Sequence, residues 1–128
     1  MSYYFSKILN LSFEEAVARV TEALKKDGFG IITEIDVKET LKKKLNVDFR
    51  KYKILGSCNP PYAYKALQAE DKIGLMLPCN VIVQELPSGK VEAAAIDPVA
   101  SMAAVKNLKL RDVGEEVRSK LKAVIDNL

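Results

Sequence analysis

The sequence predicts an α+β domain of two layers, a mixed or antiparallel sheet with helices packed mainly on one face. Three observations carry this. The hydrophobic period switches between ~2 and ~3.6 residues in the order β-α-β-α-β-α-β-β-α. The last two strands are consecutive and meet across Pro87-Ser88-Gly89, which makes them an antiparallel hairpin. The length of 128 residues fits one domain, residues 1–128, with a core that needs no metal or disulfide staple.

Residues 2–8 read as a strand rich in Tyr, Phe and Ile. Ser12 and Glu15 then form a capping-box pattern, and Phe13, Ala16, Val17, Val20 and Leu24 follow at helical spacing, predicting a helix over 13–26. Asp27-Gly28 stops it. Residues 30–37 are β-branched and read as a strand. Leu41 and Leu45 make 40–45 a short helix that turns its basic run outward. A strand over 52–57 follows. Asn59 is placed to cap a helix whose first turn holds Pro60 and Pro61 and which runs to about Glu70. Residues 75–77 read as a short extended piece, and 80–86 with 90–96 as the hairpin. Val99, Met102 and Ala103 predict a short helix over 98–105. Leu110, Val113, Val117, Leu121, Val124 and Leu128 mark one face of a closing helix, which Gly114 weakens by about 1 kcal/mol relative to Ala.

Hydrophobic residues at 48 % and charged residues at 29 % describe a globular chain rather than a disordered one. No apolar run approaches the ~20 residues of a membrane span, and the first residues lack the pattern of a signal peptide. A cytoplasmic protein with reduced thiols is therefore expected, with no membrane partner. The net charge of +3 is uneven: residues 38–53 hold seven cations and two anions, net +5, leaving −2 for the rest. That segment reads as a solvated face or as a patch for an anionic ligand. Without an RRM, KH or zinc-finger pattern, nucleic acid is not the expected partner.

The chain has no histidine. That removes Ser-His-Asp and Cys-His catalysis and every His-ligated metal site. No Walker A loop, dinucleotide fingerprint or EF-hand loop is present. No cofactor and no metal is assigned. What remains is the pair of cysteines, Cys58 in Cys58-Asn59-Pro60-Pro61 and Cys79 in Pro78-Cys79-Asn80. Cys58 ends a strand just before a helix, where free N–H groups and the helix dipole favour a thiolate or a bound anion. If strands 52–57 and 80–86 are neighbours, both sulfurs meet at one sheet edge, an arrangement suited to redox chemistry or a soft metal. Free cysteine is also among the most buried residue types, so packing alone accounts for both. Tyr62 and Lys65 follow on the helix. The candidate ligand-binding residues are thus Cys58, Asn59, Tyr62, Lys65 and Cys79; catalytic residues stay unassigned.

Cys58-Asn59-Pro60, Tyr62-Ala63-Tyr64-Lys65-Ala66-Leu67, the run from Gly74 to Val81, Gly89-Lys90-Val91 and Ile96-Asp97-Pro98 together resemble the domain of unknown function 302 family. The resemblance extends over nearly the whole chain. It implies a TBP-like α+β fold and a homodimer, and it implies no activity. An architectural likeness of that kind does not carry DNA binding with it. The expectation is a small homodimeric domain that binds a small molecule or anion at a cleft around Cys58 and Cys79. The alternatives are a thiol redox or sulfur-handling protein using those cysteines, and a non-enzymatic protein-interaction scaffold.

Overall fold

The computed structural model describes residues 2–128 as one five-stranded sheet with helices laid against it. The strands are β1 (Tyr4–Leu9), β2 (Gly30–Asp36), β3 (Tyr52–Cys58), β4 (Cys79–Glu85) and β5 (Val91–Ile96). The helices are α1 (Phe13–Lys26), α2 (Val37–Leu45), α3 (Pro60–Ala69), α4 (Pro98–Ser101) and α5 (Lys109–Asp126). The strand order is β1-β5-β4-β3-β2, and every pairing is antiparallel. Of the two sheet types expected, the antiparallel one is found. β2 to β5 form a meander, and β1 closes the far edge against β5.

Alternation along each strand sorts the side chains. Val81 and Val83, Val91, Ala93 and Ala95, and Leu55 point to the helical face and are buried against Phe13, Ala16, Val20 and Leu24 of α1 and Val117, Leu121, Val124 and Ile125 of α5. The capping box at Ser12 and Glu15 forms in both directions. The closing helix is the apolar-striped one its sequence predicts, tied to β1 by Lys7 Nζ, which donates to the carbonyls of Asp126 and Leu128. Asp97, nearly wholly buried, holds the turn after β5. Its Oδ1 accepts from the Val99 N–H at 3.0 Å and its Oδ2 from Arg118 Nε at 3.0 Å.

Three local expectations change. Val37 leaves the strand and starts α2, because Asp36 accepts from the Glu39 N–H and caps a helix there. Residues 73–76 form a 3-10 turn in place of the extended piece expected at 75–77, with Ile73 buried as its anchor. The helix expected over 98–105 stops at Ser101, since after Met102 the chain has only turn hydrogen bonds.

Candidate functional site

The β3–α3 junction is built by two prolines and an asparagine. Pro60 and Pro61 take the first helical positions, where proline's fixed φ suits the helix and its missing N–H costs nothing. Asn59 occupies the cap position, but its side chain makes no bond to the helix, contrary to the expected capping role. Its Nδ2 donates instead to the Asp27 carbonyl at 3.2 Å, reaching across to the end of α1. Gly28 makes room for this. Its φ is +86°, and a Cβ there would stand 3.2 Å from Asn59 Nδ2.

The same prolines correct a second expectation. Neither donates an N–H, and the Tyr62 and Ala63 N–H groups both bond to the Asn59 carbonyl, at 3.1 and 3.0 Å. The helix start beside Cys58 therefore lacks the free donors that would hold a thiolate or an anion.

β4 begins at Cys79, directly opposite Ser57. The Ser57 hydroxyl donates to the Cys79 carbonyl at 2.8 Å, and both residues are buried. Cys58 is thus the diagonal neighbour of Cys79 on the adjoining strand. Strand spacing and rise put their Cα atoms about 6 Å apart, inside the range of a disulfide. Successive strand residues nevertheless project from opposite faces, so the two Cβ directions diverge. Both thiols are free. They meet at one end of β3 and β4, one strand in from the edge strand β2, rather than at a sheet edge. Cys58 is half-buried. Cys79 is 8 % exposed, and burial, helped by the nearby Cys58, pushes its thiol up to about 11.

Four of the five expected residues border one open-mouthed cavity of about 260 Å³ between the helical face of the sheet, α3 and α5: Cys58, Asn59, Tyr62 and Cys79. The fifth, Lys65, does not. It is exposed, with Nζ 5.8 Å from the centre of the Tyr62 ring. The rest of the wall is apolar, with Phe29, Leu77, Met102, Val113 and Val117 among its members. Ala63, Ala66 and Gly114 are small residues in this wall, where larger side chains would leave less space. Sequence reasoning missed these three. The usable signal was Gly114, a glycine at a buried position of an otherwise regular helix. Tyr62 carries a polar group into this region, and hydrogen bonding towards Glu116 of α5, then desolvation, raises its pKa. Cys58 and Cys79 would be the soft donors for any metal. Among the described residues, no group of three or more His, Cys, Asp or Glu side chains is placed to hold one.

The family model for the domain of unknown function DUF302 matches residues 5–128. The chain belongs to the DUF302 family. A solved relative is described as an uncharacterized conserved DUF302 protein from Bacillus stearothermophilus. This DUF302 chain superposes on it with a TM-score of 0.91, at 25 % identity over 98 % of each chain. No curated protein matches the sequence. Among the described residues, no helix is long and apolar enough to cross a membrane.

The basic segment is less available than its charge suggests. Lys42 pairs with Asp48, Lys43 with Glu39, Lys51 with Glu14 and Lys53 with Glu34, while Lys38 Nζ donates to the Phe49 carbonyl. These pairs are mostly exposed, so they neutralise the surface without adding much stability.

Proposed function

We propose that this DUF302 protein binds a small, uncharged and mainly apolar ligand in the cavity beside Cys58 and Cys79. The carrying observation is the cavity wall. Apolar side chains surround about 260 Å³, and the nearby Ser57 hydroxyl and Asn59 amide are already committed to backbone carbonyls. An engineered apolar cavity of about 150 Å³ admits benzene, so this one suits a ring with a short substituent. With so few polar groups in the wall, shape rather than hydrogen bonding would set specificity. An anionic ligand has less support, because the helix start offers no donors and Lys65 lies outside the wall.

Indole tests the reading, because the chain has no tryptophan, and excitation beyond the absorption of its five tyrosines reports the probe alone. Saturable one-to-one binding is expected, and Ala63→Leu, which fills the cavity, should weaken it at least tenfold while the protein stays folded. Absence of saturable binding, or equal binding by folded Ala63→Leu, removes the proposal.

Thiol chemistry is the second reading, favoured by two free cysteines on adjoining strands. Cys58 thiolate would attack a disulfide substrate and release one thiolate. Cys79 thiolate would then resolve the mixed disulfide, leaving the substrate as two thiols and the protein as a disulfide, a step that requires the end of β3 to shift because the two Cβ directions diverge. The high pKa of Cys79 makes it a slow resolving group at neutral pH. Reduction of a small aromatic disulfide that survives Cys79→Ala unchanged would argue against this reading.

A further inference from the structure

A second hollow, of about 490 Å³, lies between α5, α4 and the chain that joins them. It shares a wall with the apolar cavity, because Met102 and Gly114 border both. On the α5 side that wall is a glycine, which carries no side chain. On the other it is a methionine, whose unbranched side chain turns about three bonds. Met102 is only partly buried, and from there to Asn107 the backbone makes only turn hydrogen bonds. The far end of this connection is fixed. Asn107 Nδ2 donates to the Ala69 carbonyl at 2.8 Å and to Glu70 Oε1 at 3.1 Å, which pins it to the end of α3. The two hollows differ in chemistry. The first is walled almost wholly by apolar side chains. The second continues that lining with Val99, Val105 and Leu108, then opens among Lys106, Arg111 and Glu115. These three charged groups are exposed, and none has an ion-pair partner among the described residues.

We infer that the two hollows are one binding site, joined when the Met102 side chain turns aside, and that its ligand is a single-chain amphiphile, an unbranched alkyl chain ending in an uncharged polar head. The inference rests on the proposed function, since the tail occupies the cavity described there. Burial separates the two ends. An alkyl tail in the first cavity leaves water without stranding a polar group. The head comes to lie among Lys106, Arg111 and Glu115, where it keeps its hydrogen bonds. A hydroxyl both donates and accepts, so it can serve the cations and the carboxylate alike. The three charges are exposed and screened by water, so the attraction they offer a fully charged head is small. Length follows from volume. An engineered cavity of about 150 Å³ takes benzene, or about 25 Å³ per carbon. On that scale the first cavity, at about 260 Å³, holds about ten carbons. A longer chain has to pass Met102.

Competition against bound indole tests this, with 1-octanol and 1-dodecanol as probes. Both should displace indole, because their tails enter the same cavity. Each further buried methylene is worth roughly fourfold in dissociation constant, so dodecanol should bind about 200-fold tighter than octanol. A chain that ends at Met102 would gain for two methylenes only, about 15-fold. Val105→Phe narrows the second hollow without touching the first. It should weaken dodecanol at least about tenfold and leave indole and octanol within about twofold. Circular dichroism checks folding. If Val105→Phe does not fold, Ala103→Phe replaces it, at an exposed position on the same wall. Dodecanol that gains no more than about 15-fold over octanol overturns the inference. So does dodecanol that binds the folded variants as tightly as wild type. In both cases continued binding of indole and octanol leaves the proposed function standing. If indole itself does not bind, both fall.

Discussion

Cys79 should make the protein lose stability on the alkaline side. Its thiol ordinarily titrates at 9.0; in the fold it titrates at about 11, first because it is desolvated and then because Cys58 lies near. The folded pKa is above the unfolded one. Between these values the native state keeps a proton that the unfolded chain has released, so rising pH favours unfolding. The stabilisation is fully present below about pH 9 and is lost as pH climbs through about 11. Two units correspond to roughly 2.7 kcal/mol, or about 1.4 kcal/mol per pH unit inside the window. Urea unfolding at intervals from pH 8 to 11 measures it, on wild type and Cys79→Ala. Lysines and tyrosines titrate in the same range, so the difference between the two proteins is the readout. At pH 8 the variant should be less stable by about 1–2 kcal/mol of lost packing. By pH 11 that gap should close by about 2 kcal/mol. A gap that stays constant across the window would refute the burial argument. Alkylation at pH 8 gives a second check: a group titrating near 11 is thiolate in about one molecule per thousand, so half-buried Cys58 should label well before Cys79.

Two further outcomes follow from the packing. Gly56→Ala should cost about 1–3 kcal/mol, because a Cβ there would overlap Thr33 Oγ1 and stand 2.9 Å from Pro78 Cγ. Thermal denaturation measures it, Thr33→Ala should restore part of the loss, and an unchanged midpoint in the single variant would contradict the close approach. Asp97→Ala should cost about 2–3 kcal/mol by uncapping α4 and leaving Arg118 without its carboxylate; a loss below about 0.5 kcal/mol in urea would show that the buried aspartate is dispensable.

The fold was legible where periodicity was strong and local. α1 announced itself through Ser12, Glu15 and a clean apolar stripe, and α5 through its run of Leu and Val at helical spacing. The hairpin of β4 and β5 followed from its turn residues. Residues 73–76 were not legible, because four residues around Gly74 carry no period and a buried Ile73 decides their shape. At the site, the sequence placed the cysteines at strand ends, and their meeting needed the β3–β4 register. Asn59 was read as a cap from its position, whereas its partner, the Asp27 carbonyl, lies 32 residues away. The cavity was least legible, since small wall residues such as Ala63 and Ala66 give no periodic signal of the space beside them.

The position of β1 at the far edge of the sheet sets the order of assembly. β2 through β5 pair with their immediate sequence neighbours and can zip in succession as they emerge from synthesis. β1 is made first, yet its partner is β5, with Tyr4 opposite Ile96. Closing that loop spans most of the chain, which slows the last step of folding. Until it closes, the β5 edge of the meander stands unpaired beside an apolar surface. Nascent chains of this protein are therefore most vulnerable to aggregation just before completion, and a chaperone that shields the β5 edge would help more than one that holds the helices.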